Sequence, residues 1–120
     1  MPRQILIIDD EAGFRDTVKE ILSADGYQVD ESPYLATAVG SALSGNHDLI
    51  ILDLKMPGLD GLEIARLFKN RNLNTPILVF SGYLSDTIPE QLRKIGIHHT
   101  LPKPSSIPQI FKAVEKAILG

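Results

Sequence analysis

Asp9, Asp10, Asp53, Ser81 and Lys103 each stand at or just past the end of a short apolar stretch. Ile5-Leu6-Ile7-Ile8 leads into Asp9-Asp10-Glu11, Leu49-Ile50-Ile51-Leu52 into Asp53, and Ile77-Leu78-Val79-Phe80 into Ser81. A bounded apolar run without alternation reads as a strand buried on both faces, as in a parallel sheet. Ligand sites of such sheets lie beyond the carboxyl ends of the strands. Separate pieces of sequence would therefore deliver carboxylates, a hydroxyl and an ammonium to one crevice. Carboxylates gathered in this way repel one another and resist ionisation unless a cation sits among them. Mg2+, a hard ion that takes oxygen ligands, is the economical choice.

The elements that must hold this site follow from the pattern between the runs. Phe14, Val18, Ile21 and Leu22 recur at helical spacing, and Gly26 follows as a stop. Tyr27 to Glu31 is short and mixed in character, which suits an edge strand. Leu35, Ala38, Val39, Ala42 and Leu43 mark a second helix that ends near Gly45-Asn46. Asp60 is a good N-cap for a third, with Glu63 three residues on and Ile64, Leu67 and Phe68 as its buried face. A fourth helix begins at Ser85 or Thr87, carries Pro89 in its first turn, and buries Ile88, Leu92 and Ile95. A brief fifth strand is expected near His98 to Leu101, and Ser106 caps a last helix with Ile107, Ile110, Phe111, Val114 and Ile118 as its stripe. Strands alternating with helices throughout predict a doubly wound α/β fold.

A length of 120 residues suits one domain spanning 1–120. The net charge of -3 argues against a nucleic-acid-binding surface, which is normally basic. The absence of Cys excludes disulfides, thiol catalysis and Cys-ligated metal, and it fits a reducing cytoplasm. No apolar run approaches the roughly 20 residues of a membrane span. Met1-Pro2-Arg3-Gln4 leads directly into the first strand, so neither a signal peptide nor membrane association is expected. His47, His98 and His99 form no ligand cluster in sequence, and the last two, on alternate faces of a short strand, are expected to face solvent rather than a metal. Taken singly, Asp9 reads as a helix cap, Asp53 as a loop residue, Ser81 as a turn hydroxyl and Lys103 as a solvated lysine. Their joint placement at strand ends carries the chemical reading.

Asp9-Asp10-Glu11, Asp53-Leu54-Lys55-Met56-Pro57-Gly58 with Asp60-Gly61, Ser81-Gly82 and Lys103-Pro104 occur in that order. Together they resemble the receiver domain of bacterial two-component response regulators, and the resemblance covers essentially the whole chain. It implies a flavodoxin-like (βα)5 fold, with a five-stranded parallel sheet in the order 2-1-3-4-5 and helices on both faces. It also implies a phosphorylation-dependent switch. Asp53 would accept a phosphoryl group from a histidine kinase or a histidine phosphotransfer protein and carry it as 4-aspartylphosphate. Mg2+ would be held by Asp10, Asp53 and the backbone carbonyl of Lys55, with Asp9 one step behind. Lys103 would pair with a phosphoryl oxygen, and Ser81 would bond the acyl phosphate and draw the loop after strand 4 inward. The chain would catalyse only its own phosphoryl transfer and dephosphorylation. An output domain or target protein would read the change, and helix 4, strand 5 and helix 5 offer a surface for a homodimer. No nucleic acid is bound by such a domain, and Lys103-Pro104 is expected to be cis.

The chain departs from that pattern in places. Thr100 stands three residues before Lys103, where receivers usually carry Tyr or Phe, and Ile97 stands where a small residue is common. Pro102 directly precedes Lys103-Pro104 and stiffens that loop. Lys55 and Tyr83 flank the path of water to the acyl phosphate. Three other readings compete. A degenerate receiver would keep the fold without phosphorylation, yet unused clustered carboxylates only cost stability. A haloacid-dehalogenase-type phosphatase needs a second Asp two residues after the nucleophile, where Lys55 stands. A flavodoxin-like electron carrier needs a hydroxyl- and Gly-rich phosphate loop after strand 1, and Asp9-Asp10-Glu11 would repel the phosphate.

Overall fold

The five apolar or mixed stretches become strands and the periodic segments between them become helices. A computed structural model describes residues 2–32, 35–56, 59–71, 73–82, 84 and 87–120. Its elements are β1 (Gln4–Ile8), α1 (Ala12–Ala24), β2 (Gln28–Ser32), α2 (Leu35–Leu43), β3 (Leu49–Leu52), α3 (Gly61–Asn70), β4 (Ile77–Ser81), α4 (Ile88–Lys94), β5 (His99–Pro102) and α5 (Ile107–Leu119). The strands form one sheet in the order β2-β1-β3-β4-β5, with every neighbouring pair parallel. This is the flavodoxin-like topology expected from the sequence. Pro57-Gly58 of the motif after Asp53, Tyr83 beside the path of water and Ser85 as a start for the fourth helix lie outside the described residues. None of the helices among the described residues is long and apolar enough to cross a membrane.

Side chains of a strand alternate between faces, so each apolar run feeds two cores. Ile5, Ile7, Leu49, Ile51, Leu78 and Phe80 pack on one face beneath α1 and α5. Leu6, Ile8, Ile50, Leu52, Ile77 and Val79 pack on the other beneath α2, α3 and α4. A strand clothed on both sides needs no polar alternation, which is why these runs are continuous. β2 lies at an edge, and Gln28, Asp30 and Glu31 along it are exposed.

Register carries the chemistry to one place. Ile8 pairs with Leu52, so Asp9 and Asp53 leave the sheet side by side, and the Asp53 N–H donates to the Ile8 carbonyl at 3.0 Å. Ser81 pairs with Pro102, and the next N–H, of Lys103, donates to the Ser81 carbonyl at 3.0 Å. Proline at the end of an edge strand sacrifices no ladder bond.

Local signals explain several helix ends. The Asp60 side chain accepts the Leu62 N–H at 3.0 Å and caps α3. Ser106 and Gln109 form a reciprocal capping box on α5, with Pro108 in its first turn. Thr87 precedes α4 without a side-chain cap bond. The fifth strand starts at His99, one residue later than expected. Gly96, at φ 90, lets the chain turn back so that the Ile97 N–H reaches the Leu92 carbonyl, and the helix exit consumes those residues. One element went unforeseen: Lys55–Met56 pairs antiparallel with Leu59–Asp60.

Gly61 opens α3 against the Leu54 backbone, and its N–H donates to the Leu54 carbonyl at 3.0 Å. A Cβ there would collide with the Leu54 backbone, whereas one at Gly40, within α2, would meet nothing within 4 Å. Gly61→Ala is expected to cost about 1–3 kcal/mol through overpacking. Gly40→Ala is expected to stabilise by about 0.5–1 kcal/mol through helix propensity. Urea unfolding midpoints of the two variants should move in opposite directions.

Candidate functional site

β1, β3, β4 and the segment after β5 bring Asp9, Asp10, Asp53, Ser81 and Lys103 to the carboxyl edge of the sheet. Asp9 is 1% exposed, and both of its carboxylate oxygens are engaged. Oδ1 accepts the Glu11 N–H at 2.9 Å and Oδ2 accepts from Lys103 Nζ at 2.7 Å. Its backbone is held as well, since Arg15 Nη1 donates to the Asp9 carbonyl at 2.7 Å. The helix-cap alternative for Asp9 therefore survives in altered form: its carboxylate satisfies a backbone N–H before α1, while Glu11 occupies the cap position.

Asp53 is 4% exposed. Its Oδ1 accepts the Lys55 N–H at 3.3 Å, and its Oδ2 accepts from Lys103 Nζ at 3.4 Å. Asp10 is exposed. Asp9, Asp10 and Asp53 each offer one oxygen, and these atoms lie within 4.8 Å of one another. Oxygens on opposite sides of an octahedral Mg2+ stand about 4 Å apart, so the cluster has the chemistry and span to hold such an ion.

Lys103 is the cationic centre. Besides Asp9 and Asp53, its ammonium donates to Glu11 Oε1 at 3.4 Å. It also lies 3.9 Å from the centroid of the Phe14 ring. The Phe14 ring meets Phe80 edge-on, with centroids 4.8 Å apart and planes at 88°. The Lys103–Pro104 peptide bond is cis, as expected. Ser81 is buried at the end of β4. With Asp53, Lys55 and Lys103 it lines a cleft of about 720 Å3 that continues between α1 and α5 over Phe14, Val18 and Ile110.

Burial raises the Asp9 carboxyl above the ordinary Asp range, outweighing the Lys103 and Glu11 hydrogen bonds that lower it. For Lys103, burial is the largest single influence and acts downward. The Asp9 hydrogen bond and the charges of Asp53, Asp9 and Glu11 together overcome it and hold the ammonium above the ordinary Lys range. The two shifts describe one balance, a buried carboxylate tolerated because a cation is bound to it.

Elsewhere, His98 is exposed and His99 half-buried, as their alternation suggested. The His47 side chain is 6% exposed and its Nε2 lies 2.8 Å from Asp30 Oδ2, tying the loop before β3 to the edge strand. Among the described residues no histidine joins a metal-ligating group. Sequence reasoning missed the contacts of Glu11, Phe14 and Arg15. Phe14 was legible only as a helix-face residue, although its position in the first turn after the acidic pair was the available signal.

A family model for the response regulator receiver domain matches residues 5–115. The chain belongs to this family. Among similar proteins, sporulation initiation phosphotransferase F of Bacillus subtilis is 30% identical over 116 residues, covering 97% of this receiver and 94% of that protein. Transcriptional regulatory protein ResD of Bacillus subtilis is 34% identical over 116 residues, covering 97% of this receiver but 48% of that protein. The receiver thus spans nearly all of the first relative and about half of the second. The response regulator TrrA of Thermotoga maritima, solved in complex with Mg2+ and BeF, is 30% identical with a TM-score of 0.84, covering 96% of this chain and 98% of that one. Receivers are signalling domains of two-component systems, and the acidic cluster of this one fits that chemistry.

The raised Asp9 carboxyl has a consequence for stability in the metal-free receiver. A folded pKa above the unfolded one means a contribution fully present below the ordinary Asp range and lost as pH rises through the folded value. At pH 7 the ionised Asp9 is then a net cost of folding. Asp9→Asn should raise the urea midpoint at pH 7 in the presence of EDTA, and the gain should shrink as pH falls below the ordinary Asp range. A lower midpoint at pH 7 would show that the bond to Lys103 outweighs burial.

Proposed function

We propose that this receiver is a switch driven by phosphorylation of Asp53. The observation that carries the reading is the Asp53 carboxylate, buried at a strand end with Lys103 Nζ at 3.4 Å and oxygens of Asp9 and Asp10 within 4.8 Å of its own. The donor is a phosphohistidine on a histidine kinase or a histidine phosphotransfer protein. One Asp53 oxygen attacks phosphorus, an O–P bond forms, and the P–N bond breaks with its electron pair returning to the imidazole nitrogen. The product is 4-aspartylphosphate, and attack of water on it returns the carboxylate and inorganic phosphate.

Asp10, Asp53 and the Lys55 backbone carbonyl would hold Mg2+, with Asp9 behind them because its oxygens make the closer bonds, at 2.9 and 2.7 Å against 3.3 and 3.4 Å for Asp53. When bound, the ion neutralises charge that builds on the phosphoryl oxygens. Lys103 exchanges a carboxylate partner for a phosphoryl oxygen and leaves the Asp53 ester oxygen free of competition. The Ser81 hydroxyl bonds the new phosphoryl group and draws the loop after β4 inward. The chain acts on no separate substrate. The face of α4, β5 and α5 is proposed to meet an output domain, a target protein or a second copy. A net charge of -3 favours a protein partner over nucleic acid, and the cytoplasm is the compartment that such a relay requires.

Acetyl phosphate with Mg2+ should add one labile, hydroxylamine-sensitive phosphoryl group to the chain, seen as a mass increase of the intact protein. EDTA and Asp53→Asn should each abolish it. Labelling that persists in Asp53→Asn would move the acceptor elsewhere.

Thr100 sits in β5 opposite Val79 and brings no ring to swing between positions. Beryllofluoride with Mg2+ should slow amide exchange after Ser81 while changing Leu101 and α5 little. Large changes across residues 99–111 would show that the output face responds without an aromatic at this position.

A further inference from the structure

The Lys103 ammonium has three N–H donors and three carboxylates to receive them: Asp9 at 2.7 Å, Asp53 at 3.4 Å and Glu11 at 3.4 Å. A further contact is of another kind, the Phe14 ring with its centroid 3.9 Å away. A cation within about 6 Å of an aromatic face is drawn to it by the ring quadrupole. That ring is itself fixed. It meets Phe80 edge-on at 88°, and Phe80 is 1% exposed, one residue before Ser81. Edge-to-face geometry is the preferred arrangement of aromatic pairs, so the Phe14 face cannot turn away from Lys103 without giving up a buried contact.

We propose that Phe14 is a positioning residue for Lys103, its ring face holding the ammonium over Asp53 while the hydrogen-bond partners of that ammonium change. The proposal rests on the phospho-acceptor reading of Asp53. Before transfer the ammonium is shared among carboxylates, and during transfer it must turn toward a phosphoryl oxygen. Hydrogen bonds to carboxylates are directional and at least one is given up. Attraction to a ring face acts on the charge itself and persists through the exchange. A four-carbon stem leaves a lysine head many positions, and the ring narrows them to those above Asp53. An aliphatic side chain of similar bulk would fill the same space without attracting the charge. Packing alone and positioning are therefore separable by substitution.

The test uses the whole chain and begins without any phosphodonor. Proton NMR should show the Lys103 ε-methylene signals, assigned by their loss in Lys103→Arg, shifted upfield by the ring current. Phe14→Tyr should keep the shift and Phe14→Leu should abolish it. With acetyl phosphate and Mg2+, Phe14→Leu should slow phosphorylation about tenfold, the size expected for a partly desolvated cation–π contact, and Phe14→Tyr should stay within about twofold of the parent. In a Lys103→Met background, Phe14→Leu should cause no further loss, because the ring then has no charge to hold. An unshifted Lys103 signal, a Phe14→Tyr variant as slow as Phe14→Leu, or an undiminished Phe14→Leu penalty in the Lys103→Met background would each overturn the proposal. A shifted, Phe14-dependent Lys103 signal in a chain that takes up no phosphoryl group would support the positioning contact and overturn the phospho-acceptor reading instead.

Discussion

Two carboxylates, Asp9 and Asp53, are buried at adjacent strand ends, and one ammonium stands between them. That charge balance is the constraint on which the rest of the site depends. Like charges at this spacing repel, and burial penalises each further. The Lys103 bond at 2.7 Å to Asp9, with weaker contacts to Asp53 and Glu11, offsets part of the cost. The raised Asp9 carboxyl shows that it does not offset all of it. A site left short of positive charge suits a divalent ion, and Asp9, Asp10 and Asp53 each offer an oxygen that could hold one.

The sheet makes this arrangement possible by fixing backbones before side chains. Pairing of Ile8 with Leu52 sets the two carboxylates beside each other, and the Asp53 N–H bond to Ile8 prolongs the ladder past the strand. Gly61 lets the start of α3 press on Leu54, directly after Asp53, and the Asp60 cap holds that helix end. On the other side, the Lys103 N–H bond to the Ser81 carbonyl continues the β4–β5 pairing into the pocket. Asp53, Ser81 and Lys103 are thus carried on stretches whose main chains are bonded to their neighbours. A change in what one of them holds has a short path to the others.

Polar and apolar parts of the site are also joined. The face of Phe14 turned to Lys103 belongs to the same ring whose packing against Phe80 helps to build the core beneath α1 and α5. Arg15, the next residue, holds the Asp9 carbonyl. The first turn of α1 therefore serves the acidic cluster from both sides, through an aromatic face and through a guanidinium, while the rest of that helix packs as an ordinary amphipathic element.

Much of this was legible in the sequence because its signals are local. Continuous apolar runs marked β1, β3 and β4, since strands covered on both faces have no reason to alternate. Asp60 and Ser106 marked helix starts, and the chemical residues at run ends marked the site edge. The one-residue delay of β5 came from the turn at Gly96, where backbone geometry rather than residue type decides. What only the tertiary structure decided is which distant groups meet. Lys103 reaches Asp9 across 94 positions and Glu11 across 92, and neither distance leaves a trace in periodicity. The same holds for the ring of Phe14 under that ammonium and for the burial of His47 against Asp30. Local propensity selects strands, helices and caps, but the partner of a buried charge is chosen by the register and packing of the whole sheet.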